Sequence, residues 1–437
     1  MTERRVVITG LGAVAPGGVG IEQLFETVLA GGQSVKPIEL FDPASFPCRI
    51  AGELVDLKAS VHVPRSYRKA VKVMARDIQI AVAAADLAVR DAGITTVGID
   101  PEKVDIDSGR LGCNIGAGLL CADLDELGSA VNTAVTDGRF DFKLWGREGM
   151  NNLTPLWLLK YLPNMLACHV TIIHAAKGPS NTITCGEASG LLAVGEATRT
   201  VARGAADAAI AGGAESKLNP MGLLRQCLLG RLATTGDGDP GGACRPFDKA
   251  ANGTVIGEGG GLLILEEHDR AAGRSARIYA EVAGFGAACD PEGVDYTRPT
   301  VGGLDRAMAM AIADAGIEPD QIDLLIPQGT GVAGEDAAEA SAVRASLGRR
   351  AESVPVSPLT GGFGDLFAGA GAVNLALAAM ATHTQTIPPA VNFESPAEGC
   401  ELAIARQGVK AQINYALTGG FAVGGHSAAV VLKRYVP

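Results

Sequence analysis

The sequence predicts an α/β protein built as two similar halves, and three observations carry that expectation. Apolar, strand-like runs bounded by glycine alternate with alanine-rich helical stretches, the pattern of buried strands covered by helices. Glycine supplies 58 of the 437 residues while aromatic residues make up only 4%. Such a chain packs through close backbone approach rather than through large rings. The order of elements also recurs, each half holding an Ala-rich helix that leads into an apolar strand.

In chain order, the expected strands are VVITGLG at 6–12, AAIAGGAE at 208–215 and GGLLILEE at 260–267. The expected helices are IQIAVAAADLAVRDAG at 78–93, LLAVGEATRTVARG at 191–204 and AVNLALAAMATH at 372–383. Two segments read as boundaries, the loop GDGDPGGA at 236–243 and the charged turn EEHDRAAGRSAR at 266–277. The turn divides a first half, 1–268, from a second, 269–437. Residues 140–165 break the Ala/Gly texture with Phe140, Phe142, Trp145, Trp157, Tyr161 and Met165, interleaved with Leu156, Leu158, Leu159 and Leu162. They suit a helical hairpin tucked on the core or an oligomer interface, because large aromatics collect where a partner dries a patch.

Composition removes several functions. With 48 acids against 37 bases, a net charge of -11 and no long basic run, a nucleic-acid footprint is not expected. The nine cysteines form no C-x-x-C pair, and the charged start meets only the short apolar run Val6-Val7-Ile8. An odd, scattered set of that kind reads as reduced thiols in the cytoplasm. No stretch reaches the roughly 18 uninterrupted apolar residues of a membrane span. No spacing suggests a metal, and no cofactor is implied.

Nine motifs occur in register from residue 6 to about 432. They are VVITGLGAVAPGG, FDPASFPCRIAGEL, NMLACHV (164–170), KGPSNTITCGEASG (177–190), RPFDKAANGTVIGEGGGLLILEE (245–267), QGTG (328–331), AGAGAV (368–373), TIPPAVN (386–392) and FAVGG (421–425). Each alone is weak; together they are specific. The chain resembles the β-ketoacyl-ACP synthases of type II fatty-acid and polyketide systems across nearly its whole length. The resemblance implies the thiolase fold, two duplicated halves in five αβαβα layers, dimerising through the edge strand of the first half. It also implies a chemistry carried by one Cys and two His. The Cys, on a tight strand-to-helix turn, takes the acyl group as a thioester, and the imidazoles stabilise the enolate left by CO₂ loss.

At those positions this chain differs. The spacing from Gly178-Pro179 to Ser189-Gly190 equals the family's, so the nucleophile position falls on Glu187, and Cys185 lies two residues too early. The His of the family's H-G-T motif is Gln328, and the G-H motif of the second His reads Gly364-Asp365. The accompanying Lys, five residues before that His, is Thr360. Attack by Glu187 on a thioester would give a mixed anhydride, too reactive to wait for a second substrate. Gln328 still donates a hydrogen bond, whereas an ionised Asp365 only accepts and repels a malonyl carboxylate. Two roles remain for Glu187. It plugs the old oxyanion site, its carboxylate on the helix-terminal N–H groups; or it pairs with Asp365 in one pocket, where two carboxylates push one pKa upward and leave a general acid or base.

A ketosynthase scaffold stripped of these groups is similar to the chain-length factor of type II polyketide synthases, although that family carries Gln where Glu187 stands. The likeness implies a heterodimer with a catalytic ketosynthase, an acyl carrier protein met through the complex, and a shared tunnel for the growing chain. By position, Leu119 in IGAGL matches the acyl gate, and Leu156 and Trp157 replace two aromatics that reach across the dimer axis. In FAVGG the gating Phe is Val423, while Phe421 is kept. Leu119 and Trp157 equally suit ordinary core packing. The stretch from Leu120 to Thr154 is longer than in simple synthases and suits a reshaped tunnel floor. Asp336 and Glu339 match an acidic pair suited to structural hydrogen bonding, and His169, of the NMxxxH pattern, reads as structural; His174 also flanks that motif. A helix over 65–76 would align Arg65, Arg68, Lys69, Lys72 and Arg76 as a basic face, either solvated or a dock for an acidic carrier protein.

Three functions follow as expectations. The first is a non-catalytic subunit that heterodimerises with an active synthase and helps set product length. The second is an enzyme with altered acid/base chemistry, Glu187 and Asp365 acting on carrier-bound intermediates. The third is a homodimeric acyl-binding module.

Overall fold

The computed structural model of the protein describes residues 4–234, 238–292 and 302–437. Gly236 and Asp237 of the expected boundary loop, and Met1, Thr2 and Glu3, lie outside the described residues. Nine strands form one path through a mixed sheet: β1 (Val6–Ala15), β2 (Leu111–Ala117), β3 (Ser180–Ile183), β4 (Ala208–Ser216), β5 (Glu258–Glu267), β6 (Ala280–Cys289), β7 (Leu324–Ile326), β8 (Tyr415–Phe421) and β9 (His426–Arg434). Their spatial order is β7-β8-β9-β6-β1-β5-β4-β2-β3. The β2 strand runs parallel to both β3 and β4, and β7 parallel to β8, while the remaining pairs are antiparallel. The two halves of the sheet are joined where Val7 and Ile8 of β1 face Glu281 and Ala280 of β6.

Five layers result. Helices α1 (Arg76–Asp91) and α2 (Met165–His174) cover one outer face, over β1, β5, β4 and β2. Helices α3 (Ser189–Ala202) and α6 (Ala370–Thr384) fill the middle, each touching strands of both ends of the sheet. Helices α4 (Gly302–Asp314) and α5 (Ala333–Leu347) close the other side, α4 lying on β6 and β9 and α5 on α4. Strands covered on both faces need continuous apolarity, and every residue of β1 is buried. The central helices come so near the sheet that side chains are excluded. A Cβ on Gly116 would stand 2.4 Å from the Ser189 carbonyl carbon, and one on Gly213 2.3 Å from the Ala368 oxygen. The glycine-rich composition is therefore a packing requirement of the middle layer.

Every strand and helix expected from the sequence is present, with shifted ends: the first two helices begin and end two residues early, at 76–91 and 189–202, and the third runs 370–384. Two expectations need correction. The basic segment is a 3-10 turn over Arg65–Val73 that breaks before α1, and Arg76 leaves the exposed face. Its guanidinium makes a two-toothed contact with the buried Glu258 at 2.9 and 2.8 Å. Residues 140–165 form no long helical hairpin. A small strand pair (Val135–Thr136 with Arg139–Phe140) leads into short helices at Phe142–Arg147 and Trp157–Lys160, because each run is interrupted by glycine, asparagine or proline.

Candidate functional site

The site begins where β3 hands over to α3. Gly186 takes φ +57, a left-handed value that glycine adopts without steric cost, and a 3-10 turn follows over Gly186–Ala188. Ser189 ties the bend together, its Oγ accepting from the Cys185 N–H at 2.8 Å and donating to the Gly186 carbonyl at 2.6 Å. The bend buries Glu187 and places it on the wall of a cavity of about 410 Å³ with Thr184 and Gly186, while Cys185 is not part of that wall. Burial raises the Cys185 thiol, so it stays protonated at neutral pH.

Glu187 meets a cation that sequence reasoning missed. Arg231 Nη1 donates to Glu187 Oε1 at 3.1 Å. The same guanidinium grips Glu335 through Nε and Nη2 at 2.7 and 2.9 Å, and Nη2 stands 3.7 Å from Asp365 Oδ2. One guanidinium thus joins three carboxylates, all four side chains being buried. Burial works to raise the Glu187 carboxyl, and the charges of Arg231 and Lys217 outweigh it, so the group is held ionised. Burial pushes Asp365 up to about 6 against the pull of Arg231, with the charge of Glu187 adding to the rise. Asp365 Oδ1 accepts from the Phe367 N–H at 2.9 Å, and Oδ2 has no hydrogen-bond partner. Glu187 is thus stabilised by the charges of Arg231 and Lys217 together with its own backbone N–H at the start of the turn, an ion cluster added to the helix-end contact.

The other positions fall around this cluster. Gln328 Oε1 accepts from the Phe421 N–H at 2.7 Å and its Nε2 is buried without a partner. Thr360 donates to the Gln328 carbonyl at 2.6 Å. Asp336 and Glu339 accept backbone N–H groups, Asp336 from Phe247, Thr330 and Gly331, and Glu339 from Gln328 and Gly329, so they brace this loop. No histidine reaches the cavity wall. His169 bonds to Tyr67 and His174 to Thr96, each at 2.8 Å within the first-half core.

Glu187, Arg231, Glu215, Lys217 and Gln226 make the polar part of the cavity, and Leu119, Pro163, Leu229 and Val423 the apolar part. Asp365, Gln328 and Thr360 are not on its wall. Lys217 lies 3.4 Å from Glu215 and over the Phe367 ring at 3.6 Å. Of the five tunnel positions named from the sequence, Leu119 and Val423 line this cavity. Phe421 is buried among the residues of the second-half core, Leu156 is 77% exposed with φ +66, and Trp157 packs on Tyr161 at 5.2 Å between ring centres. Arg231 and Lys217 had no signal in the sequence beyond being charges beside apolar runs. Glu335 sits next to Asp336 in the sequence. Among the described residues no group of three or more His, Cys, Asp and Glu is disposed to hold a metal ion, and no helix is long and apolar enough to cross a membrane.

Comparison with known proteins places this geometry in a family. The profile of the Beta-ketoacyl synthase, N-terminal domain, matches residues 3–271, and that of the Beta-ketoacyl synthase, C-terminal domain, residues 279–394. The chain is 31% identical to the 3-oxoacyl-[acyl-carrier-protein] synthase 2 of Synechocystis over 436 residues, covering 100% of this chain and 99% of that protein. It is 32% identical to the tetracenomycin polyketide synthase ketoacyl synthase beta subunit of Streptomyces glaucescens, covering 98% of each. Among solved structures, the ishigamide ketosynthase/chain length factor superposes with a TM-score of 0.84 at 27% identity, over 99% of this chain and 100% of that one.

Proposed function

This chain belongs to the β-ketoacyl synthase family, and from that premise we propose that it is the non-catalytic member of a synthase pair. In this reading it works as a chain-length factor, joining a catalytic ketosynthase and walling part of the tunnel in which a polyketide or fatty acyl chain grows. One observation carries the reading: Glu187, standing where the nucleophile would, is an ionised carboxylate locked to Arg231 at 3.1 Å. A carboxylate spent on an ion pair is a poor nucleophile, and neither Gln328 nor Asp365 supplies the donor pair that an enolate needs. The acyl carrier protein is met through the complex, since this subunit forms no thioester. Likeness to a polyketide synthase beta subunit and to a ketosynthase/chain length factor structure supports the same reading.

Acid/base chemistry by Glu187 and Asp365 is less well supported. Asp365, the carboxyl whose pKa is raised, is absent from the cavity wall, with Arg231 between it and Glu187. The deciding experiment purifies the chain alone and with the ketosynthase encoded beside it, then assays elongation of acyl-ACP by malonyl-ACP. Elongation only by the pair is the expected result. Elongation by the chain alone, or by the pair only while Glu187 is intact as an acid, would overturn the proposal.

A further inference from the structure

The cavity beside Glu187 poses a problem for a subunit that walls a tunnel, because an apolar chain could lodge in it unproductively. Its exposed and half-buried apolar wall, Leu119, Pro163, Leu229 and Val423, forms the mouth. Its deep side is ionic: the Arg231 guanidinium is fixed by Glu335 through two hydrogen bonds and reaches Glu187 and Asp365 from that anchor. A chain passing the mouth would have to displace or desolvate this cluster, which offers it no apolar surface. We propose that Arg231, held in place by Glu335, is a specificity-determining residue that closes the subunit's own pocket to acyl chains, with Glu187 filling the space beside it. The inference rests on the reading of the chain as a non-catalytic subunit.

The geometry separates the two residues. Glu335 alone already makes two hydrogen bonds to Arg231, so loss of Glu187 leaves the guanidinium in place. Loss of both side chains opens the cavity toward Asp365.

The test is equilibrium binding of a neutral twelve-carbon probe, dodecanamide, by displacement of a polarity-sensitive dye from the full chain. The wild type and Glu187→Ala should show no saturable site. Glu187→Ala/Arg231→Ala should bind at least about tenfold more tightly, and Leu119→Trp added at the mouth should abolish the gain. Saturable binding by the wild type that Leu119→Trp removes would overturn the proposal, and so would an opened pocket in Glu187→Ala alone. Failure of the double truncation to bind, while folded, would also overturn it. The first two readouts need no truncated Arg231 and stand even if the double variant does not fold. Elongation assays are not involved, so a catalytic wild type would sink the functional reading while this binding result stood by itself.

Discussion

Arg231 Nη1 lies 3.1 Å from Glu187 Oε1, yet the guanidinium's firmer attachment is to Glu335 at 2.7 and 2.9 Å. The two ends of this cluster therefore differ in what their loss leaves behind. Arg231→Ala strands three buried carboxylates and should destabilise the fold by about 3–5 kcal/mol. Glu187→Gln keeps a hydrogen-bond acceptor and a paired guanidinium, and should cost about 1–2 kcal/mol. Urea denaturation of both variants checks the order, and equal losses would show that the cluster is not organised around the arginine.

Restoring the thiol should not restore the reaction. Glu187→Cys puts sulfur at the position that motif spacing assigns to the nucleophile, but of the two flanking groups only Gln328 offers a donor, its Nε2, while Asp365 is an acceptor. Neither replaces an imidazole pair. Release of labelled CO₂ from malonyl-ACP by this variant should match the wild-type background. A clear rise above it would mean that the flanking groups support decarboxylation after all.

The scaffold was legible in the sequence because its rules are local. Glycine at Gly116 and Gly213 and alanine along α6 are dictated by backbone contact, and the strands buried on both faces read as unbroken apolar runs. The proposed changes at the catalytic positions, Glu187, Gln328 and Asp365, rest on motif spacing alone. Arg231 was not legible, because it comes to Glu187 from 44 residues away in the chain, to Glu335 from 104 and to Asp365 from farther still. Arg76 failed for the same reason: its acid, Glu258, is 182 residues distant and invisible to any helical wheel. Long-range charge pairing has no periodicity to read.

Asp365 gives the cluster a pH signature of definite sign. Its pKa is about 6 in the folded chain, against about 3.9 for an unperturbed Asp. Between these values the folded form keeps a proton that the unfolded form has released, so stability falls as pH rises through that window, by about 1–3 kcal/mol, and levels off above it. Glu187 acts in the opposite sense and at lower pH, its lowered pKa giving stability that is lost as pH falls below the ordinary carboxylate range. Asp365→Asn keeps the acceptor for the Phe367 N–H and should flatten the slope between pH 4 and 6. Denaturation midpoints across that range decide it, and an unchanged slope would assign the titration elsewhere.

The pairing surface is the remaining question, and the exposed apolar side chains near the free edge of the sheet point to it. The β3 strand pairs with β2 on one side only, and α2, which packs beside β3, carries Ile172 at 59% exposure. Leu156 at 77% and Leu158 at 58% exposure precede α2 on the same stretch of chain. An open strand edge beside the exposed Ile172, with further exposed leucines earlier on that stretch of chain, is a liability for a lone molecule and an asset for one that dimerises. Burial of a leucine or isoleucine contributes about 1.5–3 kcal/mol, so Leu156→Asp and Ile172→Asp should each weaken association with the ketosynthase proposed as its partner by about tenfold or more. Because both side chains are exposed in the single chain, the thermal midpoint of the isolated subunit should move by no more than about 1–2 °C. Sedimentation of the mixed subunits measures the first effect and calorimetry the second. Undiminished association in both variants would place the partner on another face.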